Sequence, residues 1–559
     1  MNMKSIIGGV LAFSATTLMS ADDCTFLNEG GDLADASQWG GTLPDGADKV
    51  TVDQRGNYTL SDDVTFNSFN VMVGGCYFDL GNSRLNVGKE GDGALYCKPN
   101  GGGRTVFSGG KIEFSNQGNC YPYVAPDSAG VVVFANGCVI TNANYFYAIR
   151  SASNGRVEIT GGTTVCATNR FAVLHGVGKN NVVEITDGAK VFVKGYAYSE
   201  LGGTADEIGE NELRISGAGA LFSKDSNKDF YLGNVTTGNK LTVEDGGICS
   251  LSGKGGFKVR SSYNEVVISN ATFESSNAFC LADGSDSSHN IFRVVGKNIT
   301  KDHVLLPVLG SWMVSGHHNM ISFEDGANWK KGSANSFFTN TQHSVFVVKG
   351  TGTQFGDTGY NFYLGSNSEN LTSMCADNSV EVLDGTVFNA KRFMLMGVRN
   401  ALVVSNATLN IAKKNDDVAL RIGYKLGDLV PDNCVLCLKG ENPKINVDVG
   451  VSTNACWVQN NSTVRFEVPE EGYARNHVPL SLGGKFQFES GCRLEVDCEK
   501  FARAGGGTLT LIETGYNMTE DTRNALLAGV RGLPEGSNIK VSNRSVKLHC
   551  PRGLVISIR

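Results

Sequence analysis

The sequence predicts an all-β protein, a right-handed parallel β-helix with coils of about 27 residues. Three observations carry this. One octapeptide pattern returns along the middle of the chain. Its apolar residues alternate with period two. Glycine is abundant, at 70 of 559 residues, while proline is scarce, at 11. Glycine without a three-residue period or accompanying proline excludes collagen. A hydrophobic fraction of 41% with 19% charged residues excludes a disordered chain. The net charge of −7 argues against a nucleic-acid partner, which draws a basic stripe.

The N-terminus carries Lys4, then an apolar stretch from Ile6 to Leu18, then Ser20-Ala21-Asp22. Residues 1–21 are therefore expected to be a secretory signal peptide, cut after Ser20 or Ala21. The mature chain is expected to be secreted, extracellular or on the cell surface, or periplasmic. No later stretch is long and apolar enough to form a transmembrane segment. Fifteen cysteines are thinly spread. Most read as small buried hydrophobes, with some pairing expected in an oxidising compartment and no connectivity assignable.

Residues 22–60 read as an N-terminal cap. They hold Trp39, the turn Pro44-Asp45-Gly46 and an alternating run at Lys49–Val52. Residues 61–500 read as the solenoid. The clearest copies are Asn181-Val-Val-Glu-Ile-Thr-Asp-Gly188, Asn239-Lys-Leu-Thr-Val-Glu-Asp-Gly246, Asn264-Glu-Val-Val-Ile-Ser-Asn-Ala271 and Asn378-Ser-Val-Glu-Val-Leu-Asp-Gly385. Others start at Asn211, Asn319 and Asn400, with weaker copies at Gly155, Asn290 and Ser344. Positions two and four past each start are apolar, as in Val266 and Ile268 or Val380 and Val382, so one strand face is buried. Asp-Gly or Asn-Ala then supplies a corner that tolerates φ > 0. A second apolar run follows, and a third, such as Phe230-Tyr-Leu-Gly233 or Phe362-Tyr-Leu-Gly365, precedes the next copy. Three short strands per coil fit a solenoid and not a propeller blade, which needs four strands and about 40 residues or more.

Residues 501–559 read as a C-terminal cap with one helix. In it, Thr519 caps a helical run, Glu520 and Asp521 suit its N-terminal end, and Gly532 follows it. Strands flank this helix, including an alternating run at Gly553–Arg559. Both ends of a solenoid need caps because open strand edges invite aggregation.

The Asn-x-Leu/Val-x-Val/Ile-x-Asp/Asn-Gly/Ala core, the Phe-x-Leu-Gly element and the Trp39…Leu43-Pro44…Asp48-x-Val50 segment resemble the β-solenoid passenger regions of bacterial surface proteins, especially autotransporter-type repeats. The resemblance spans roughly residues 35–470. It implies the right-handed parallel β-helix and brings no catalytic residue with it. No translocator barrel follows the repeats, so self-export by that route is not expected.

The favoured function is accordingly a structural or adhesive one. The alternative is a polysaccharide lyase or glycoside hydrolase on the same scaffold. Such enzymes need clustered carboxylates about a scissile bond. Adjacent acids at Asp62-Asp63 and Asp416-Asp417 lack the companion motifs of polygalacturonase-like enzymes and read as solvated loop acids. Outward acids such as Glu184, Glu244, Glu324 and Glu381 remain the residues from which stacked coils could assemble a site. The paired His317-His318, with His303 or His343 nearby, reads as a polar turn before a strand. Cys434-Val-Leu-Cys437 lacks a thioredoxin-like context. No cofactor or metal site is expected. The partners expected are polysaccharide or other cell-surface or matrix components. Inserts at Tyr121–Asp127, Tyr196–Asn211 and Gly423–Asn433 are the candidate specificity loops, with Tyr196 and Tyr198 the candidate ligand-binding residues, because aromatic rings stack on sugars.

Overall fold

In the computed structural model, the described residues are 23–88, 95–99, 103–114, 130–195, 199–202, 209–275, 279–283, 287–296, 304–305, 316–329, 341–365, 375–412, 418–424, 432–450 and 452–551. The protein is an all-β parallel solenoid, as the repeat predicts. Each copy of the Asn motif forms a strand that pairs in parallel with its counterparts one coil earlier and one coil later. Val183 faces Leu213, Leu213 faces Leu241, Leu241 faces Val266 and Val266 faces Phe292. This first sheet runs without a break from Gly31–Asp32 to Val530–Arg531. The pairing of like with like builds a rod wall, not a closed barrel.

A second sheet stacks the strands after the Asp-Gly corner, for example Lys190–Lys194, Leu221–Asp225 and Ile248–Ser252. The third stacks the Phe-x-Leu elements, with Phe230 on Phe257 and Phe257 on Phe279. The corners have the backbone that the sequence demands. Asp187-Gly188, Asp245-Gly246, Asp325-Gly326 and Asp384-Gly385 all have positive φ at both residues.

Inward side chains form one apolar cluster that extends from Phe26 to Cys550. Aromatic columns run through it: Tyr58, Phe78, Phe107 and Phe134 lie with successive centroids 4.9, 4.9 and 5.5 Å apart. Phe230, Phe257 and Phe279 continue the theme at 6.0 Å. Each such pair adds about 0.5–1.5 kcal/mol beyond its buried area. All of the described cysteines but Cys24 and Cys166 are buried, as small hydrophobes would be.

The Asn that opens each motif is not a surface turn residue. Asn181, Asn211, Asn239, Asn264, Asn290, Asn319, Asn378 and Asn400 are buried and stack as a ladder. The backbone N–H and Nδ2 of Asn264 both donate to Oδ1 of Asn290, at 2.9 and 3.1 Å. Asn290 repeats this onto Asn319 at the same distances. Ser344 takes one rung, its Oγ accepting from Asn319 N–H at 3.1 Å. The ladder satisfies corner amides that lie too deep for water.

The ends are closed differently. At the N-terminal end, Trp39 lies edge-on to Phe26 at 4.7 Å and donates from Nε1 to the Leu33 carbonyl. At the C-terminal end, helix α1 (Glu499–Arg503) and helix α2 (Glu520–Gly529) flank the strand Gly507–Thr514, which pairs antiparallel with Ser545–Cys550. Thr519 caps α2, its Oγ1 accepting from Thr522 N–H at 3.2 Å. The one-turn helix α1 was not evident from sequence. Gly553–Arg559 lies outside the described residues.

Candidate ligand-binding face

The outward positions of the first sheet carry acids that stacked coils could bring into one site, and three of them are matched by cations. Glu184 pairs with Arg156 and, at 3.7 Å, with Arg214. Arg214 also reaches Glu212 and Glu244, at 3.4 and 3.5 Å. Glu324 sits between Arg293 at 2.8 Å and Lys349 at 3.3 Å. Burial alone would raise the Glu324 pKa. The hydrogen bond from Arg293 and the charges of Arg293 and Lys349 outweigh it and hold the group below the usual carboxylate range. Glu381 accepts from Ser379. Glu184, Glu244 and Glu324 are tied to cations one coil away, and Glu324 is held ionised, whereas a general acid needs a raised pKa. Asp62 accepts the backbone N–H of Asp63, and Asp63 accepts that of Arg84 in the strand Cys76–Val87. Asp416, Asp417 and His303 lie outside the described residues.

His317 and His318 lie exposed at the corner before the Asn ladder. His318 stacks between His289 and His343 at centroid distances of 4.9 and 5.1 Å, and Tyr263 stacks on His289 at 4.8 Å. Tyr263, His289, His318 and His343 share one cause: each is the positive-φ residue immediately before the ladder position of its coil. Among the described residues, no group of three or more His, Cys, Asp or Glu side chains is arranged to hold a metal ion. Cys434 immediately precedes the strand Val435–Lys439 that holds Cys437, and the two are three residues apart and so point to opposite faces. Cys434 contacts the Gly397 carbonyl inside, and Cys437 contacts Glu467 outside.

The third sheet differs. The positions of this sheet that face away from the main core carry several aromatic and cationic side chains in register, with Tyr231, Tyr363 and Met394 buried and Arg421, Trp457 and Gln487 partly exposed. Tyr231 pairs with Lys258 along one stretch, and Tyr363, Met394, Arg421, Trp457 and Gln487 follow one another along a second. On the first stretch, Arg260 lies 4.1 Å over the Tyr231 ring, whose hydroxyl donates to Asp229 at 3.0 Å. Lys258 bridges Asp229 and Asp283, at 3.2 and 3.6 Å. On the second, Tyr363, Met394 and Met396 form a small apolar cluster outside the main core, with Tyr424 against it. The Arg421 guanidinium sits 4.2 Å over Tyr424 and 5.7 Å from the Trp457 centroid.

This second stretch ends in a cleft between the last coils and α2. The cleft has a volume of about 760 Å³ and is lined by Trp457, Gln487, Glu489, Asp521, Asn524 and Ala525, among others. Trp457 is half-buried, and its Nε1 donates to Glu489 Oε1 at 2.9 Å, which fixes the indole plane. Carboxylate and amide groups beside a fixed aromatic face suit a polyhydroxylated ring: the face takes the C–H side and the polar rim takes the hydroxyls. The sequence reading missed Trp457 and Arg421. Their signal was available, because both occupy the middle position of the Phe-x-Leu element, where Tyr231 and Tyr363 also stand.

Tyr196 and Tyr198 lie outside the described residues, as do residues 121–127 and 425–431 of the candidate loops. Among the described residues no helix is long and apolar enough to cross a membrane. Comparison with known proteins yields no match to this chain among family models, curated proteins or solved structures.

Proposed function

We propose that this protein is a secreted or cell-surface structural and adhesive solenoid of the bacterial autotransporter-passenger type, which engages polysaccharide along its third sheet. The observation that carries the reading is the in-register, partly exposed run Arg421, Trp457 and Gln487, which ends in the C-terminal cleft. A polymer laid along these last coils meets one polar or aromatic side chain of the run per coil, about 4.8 Å apart, so weak contacts add. The inward residues are committed to packing, and Glu184, Glu244 and Glu324 of the first sheet to ion pairs.

The test is retention of the purified chain on insoluble and immobilised polysaccharides, with a parallel assay for released oligosaccharide. Wild type is expected to bind at least one glycan without releasing oligosaccharide. Trp457→Ala is expected to weaken that binding about tenfold or more, and Trp457→Phe to retain most of it. Absence of binding across the panel, equal binding by Trp457→Ala, or oligosaccharide release by the pure protein would each overturn the reading.

A further inference from the structure

We infer that Cys498 and Cys550 are the partners of a disulfide that staples the C-terminal cap onto the end of the solenoid. Cys498 follows the rung Arg493–Asp497 and is the residue before α1. Cys550 ends the strand Ser545–Cys550 and pairs with Gly507. Both are fully buried, and their sulfurs face each other at 3.7 Å across a sequence separation of 52 residues. Three other buried cysteines spend their sulfurs elsewhere. Cys375 accepts from Asn378 Nδ2 at 3.2 Å, Cys434 meets the Gly397 carbonyl at 3.3 Å and Cys76 meets the Gln54 carbonyl at 3.4 Å. At Cys498 and Cys550 the polar partner of sulfur is sulfur. Closing to a bond of about 2.05 Å asks for a side-chain adjustment within an existing contact.

The position gives the bond a purpose. Between the two cysteines lie both helices, the strand Gly507–Thr514, the terminal rung Val530–Arg531 and the strand Asn538–Val541. These cover an edge that would otherwise present unpaired strand groups. The bridge ties the last strand of this cover to the final full coil, so the cap cannot swing away without breaking a covalent bond.

The chemistry needs a disulfide oxidant such as oxidised glutathione. One cysteine thiolate attacks a glutathione sulfur and expels glutathione thiolate. The second cysteine thiolate attacks the resulting mixed disulfide and expels another. Two electrons pass from the cysteines to glutathione, and the two thiol protons end on the two released glutathiones. Burial, and then the neighbouring Cys550 sulfur, raises the Cys498 pKa, so folded Cys498 holds little thiolate. The bond therefore forms as the cap closes, during folding.

The inference does not depend on the adhesive reading, and its test uses no glycan. The full chain is denatured, reduced and refolded with glutathione in both redox forms, or with excess dithiothreitol. Unreduced peptide mapping is expected to give one linked peptide pair containing Cys498 and Cys550, and two fewer alkylatable thiols than in the dithiothreitol sample. Cys498→Ser is expected to leave Cys550 alkylatable and to speed proteolysis within residues 499–549 to the rate of the reduced wild type. Quantitative alkylation of Cys550 in the oxidised wild type would overturn the inference, as would its linkage to any other cysteine. The wild-type map decides the matter even if the variant fails to fold.

Discussion

Replacing Asn290 with Ala tests whether the buried amide ladder holds the coils in register. The Asn290 side chain makes four ladder contacts. Its Oδ1 accepts the Asn264 backbone N–H at 2.9 Å and Asn264 Nδ2 at 3.1 Å. Its Nδ2 donates to Asn319 Oδ1 at 3.1 Å and to Ser287 Oγ at 3.0 Å. After truncation, Asn264 Nδ2 keeps Ser261 Oγ, and Asn319 Oδ1 keeps the Asn290 backbone N–H. The group left stranded is the Asn264 backbone N–H. An orphaned buried donor costs about 1–3 kcal/mol, and each of the three other lost hydrogen bonds roughly 0.5–1.5 kcal/mol more, so Asn290→Ala is expected to cost about 2.5–7.5 kcal/mol. The protein supplies its own control. Ser344 satisfies the Asn319 N–H with a hydroxyl at 3.1 Å. Asn290→Ser should therefore keep the Asn264 N–H partnered and cost only about 1–2 kcal/mol. Urea unfolding measures the totals. Hydrogen exchange of the peptide containing Asn264 locates the loss, because its protection should collapse in the Ala variant and largely persist in the Ser variant. If the two variants unfold within about 0.5 kcal/mol of each other, with equal exchange at Asn264, the orphaned-donor argument is wrong.

Three further outcomes are expected. Lys224 is buried at an inward position between Val193 and Leu251, and burial pushes its pKa down to about 8. The fold thus favours the neutral amine, and the penalty on the charged form is full below about pH 8 and relieved towards pH 10.5. Lys224→Leu should raise stability at pH 7 by about 1–3 kcal/mol, a gain that shrinks in alkaline unfolding titrations; a gain independent of pH would contradict the cause given. His175 is held below its ordinary value by burial and by Arg170 and Arg150, and His318 by slight desolvation and the neighbouring His289, His317 and His343. Depressed imidazoles add stability above about pH 6.5 that is lost as pH falls through their folded values, so a His175→Asn/His318→Asn variant should show a shallower drop in Tm between pH 7.5 and 5 than wild type. Replacing Tyr196 and Tyr198 together with Ala should shift Tm by no more than about 2 °C if the pair serves a ligand, and calorimetry showing a large drop would make them packing residues.

The sequence by itself determined the coil. Alternation at Val266 and Ile268, or Val380 and Val382, specified which strand face is inside, because a period of two leaves no other face to bury. Asp245-Gly246 and Asp384-Gly385 specified the corners, because few residues accept positive φ. Thr519 with Glu520 and Asp521 specified α2, because capping is local chemistry. What recurs in every coil is legible from one chain, since each copy repeats the same physical constraint.

Tertiary structure decided what depends on stacking. The sequence shows that Asn264 and Asn290 are equivalent; only the superposition of coils makes one the hydrogen-bond partner of the other and carries both out of water. Glu184 and Glu324 read as free outward acids until the coils above and below place Arg156, Arg214, Arg293 and Lys349 beside them. Arg421 and Trp457 lie 36 residues apart in sequence and one coil apart in the sheet. Cys498 and Cys550 are brought together by the closing of the cap, whose path is set by antiparallel pairing that no repeat announces. Contacts between coils join residues by register, a property of the pairing of strands and not of any strand alone.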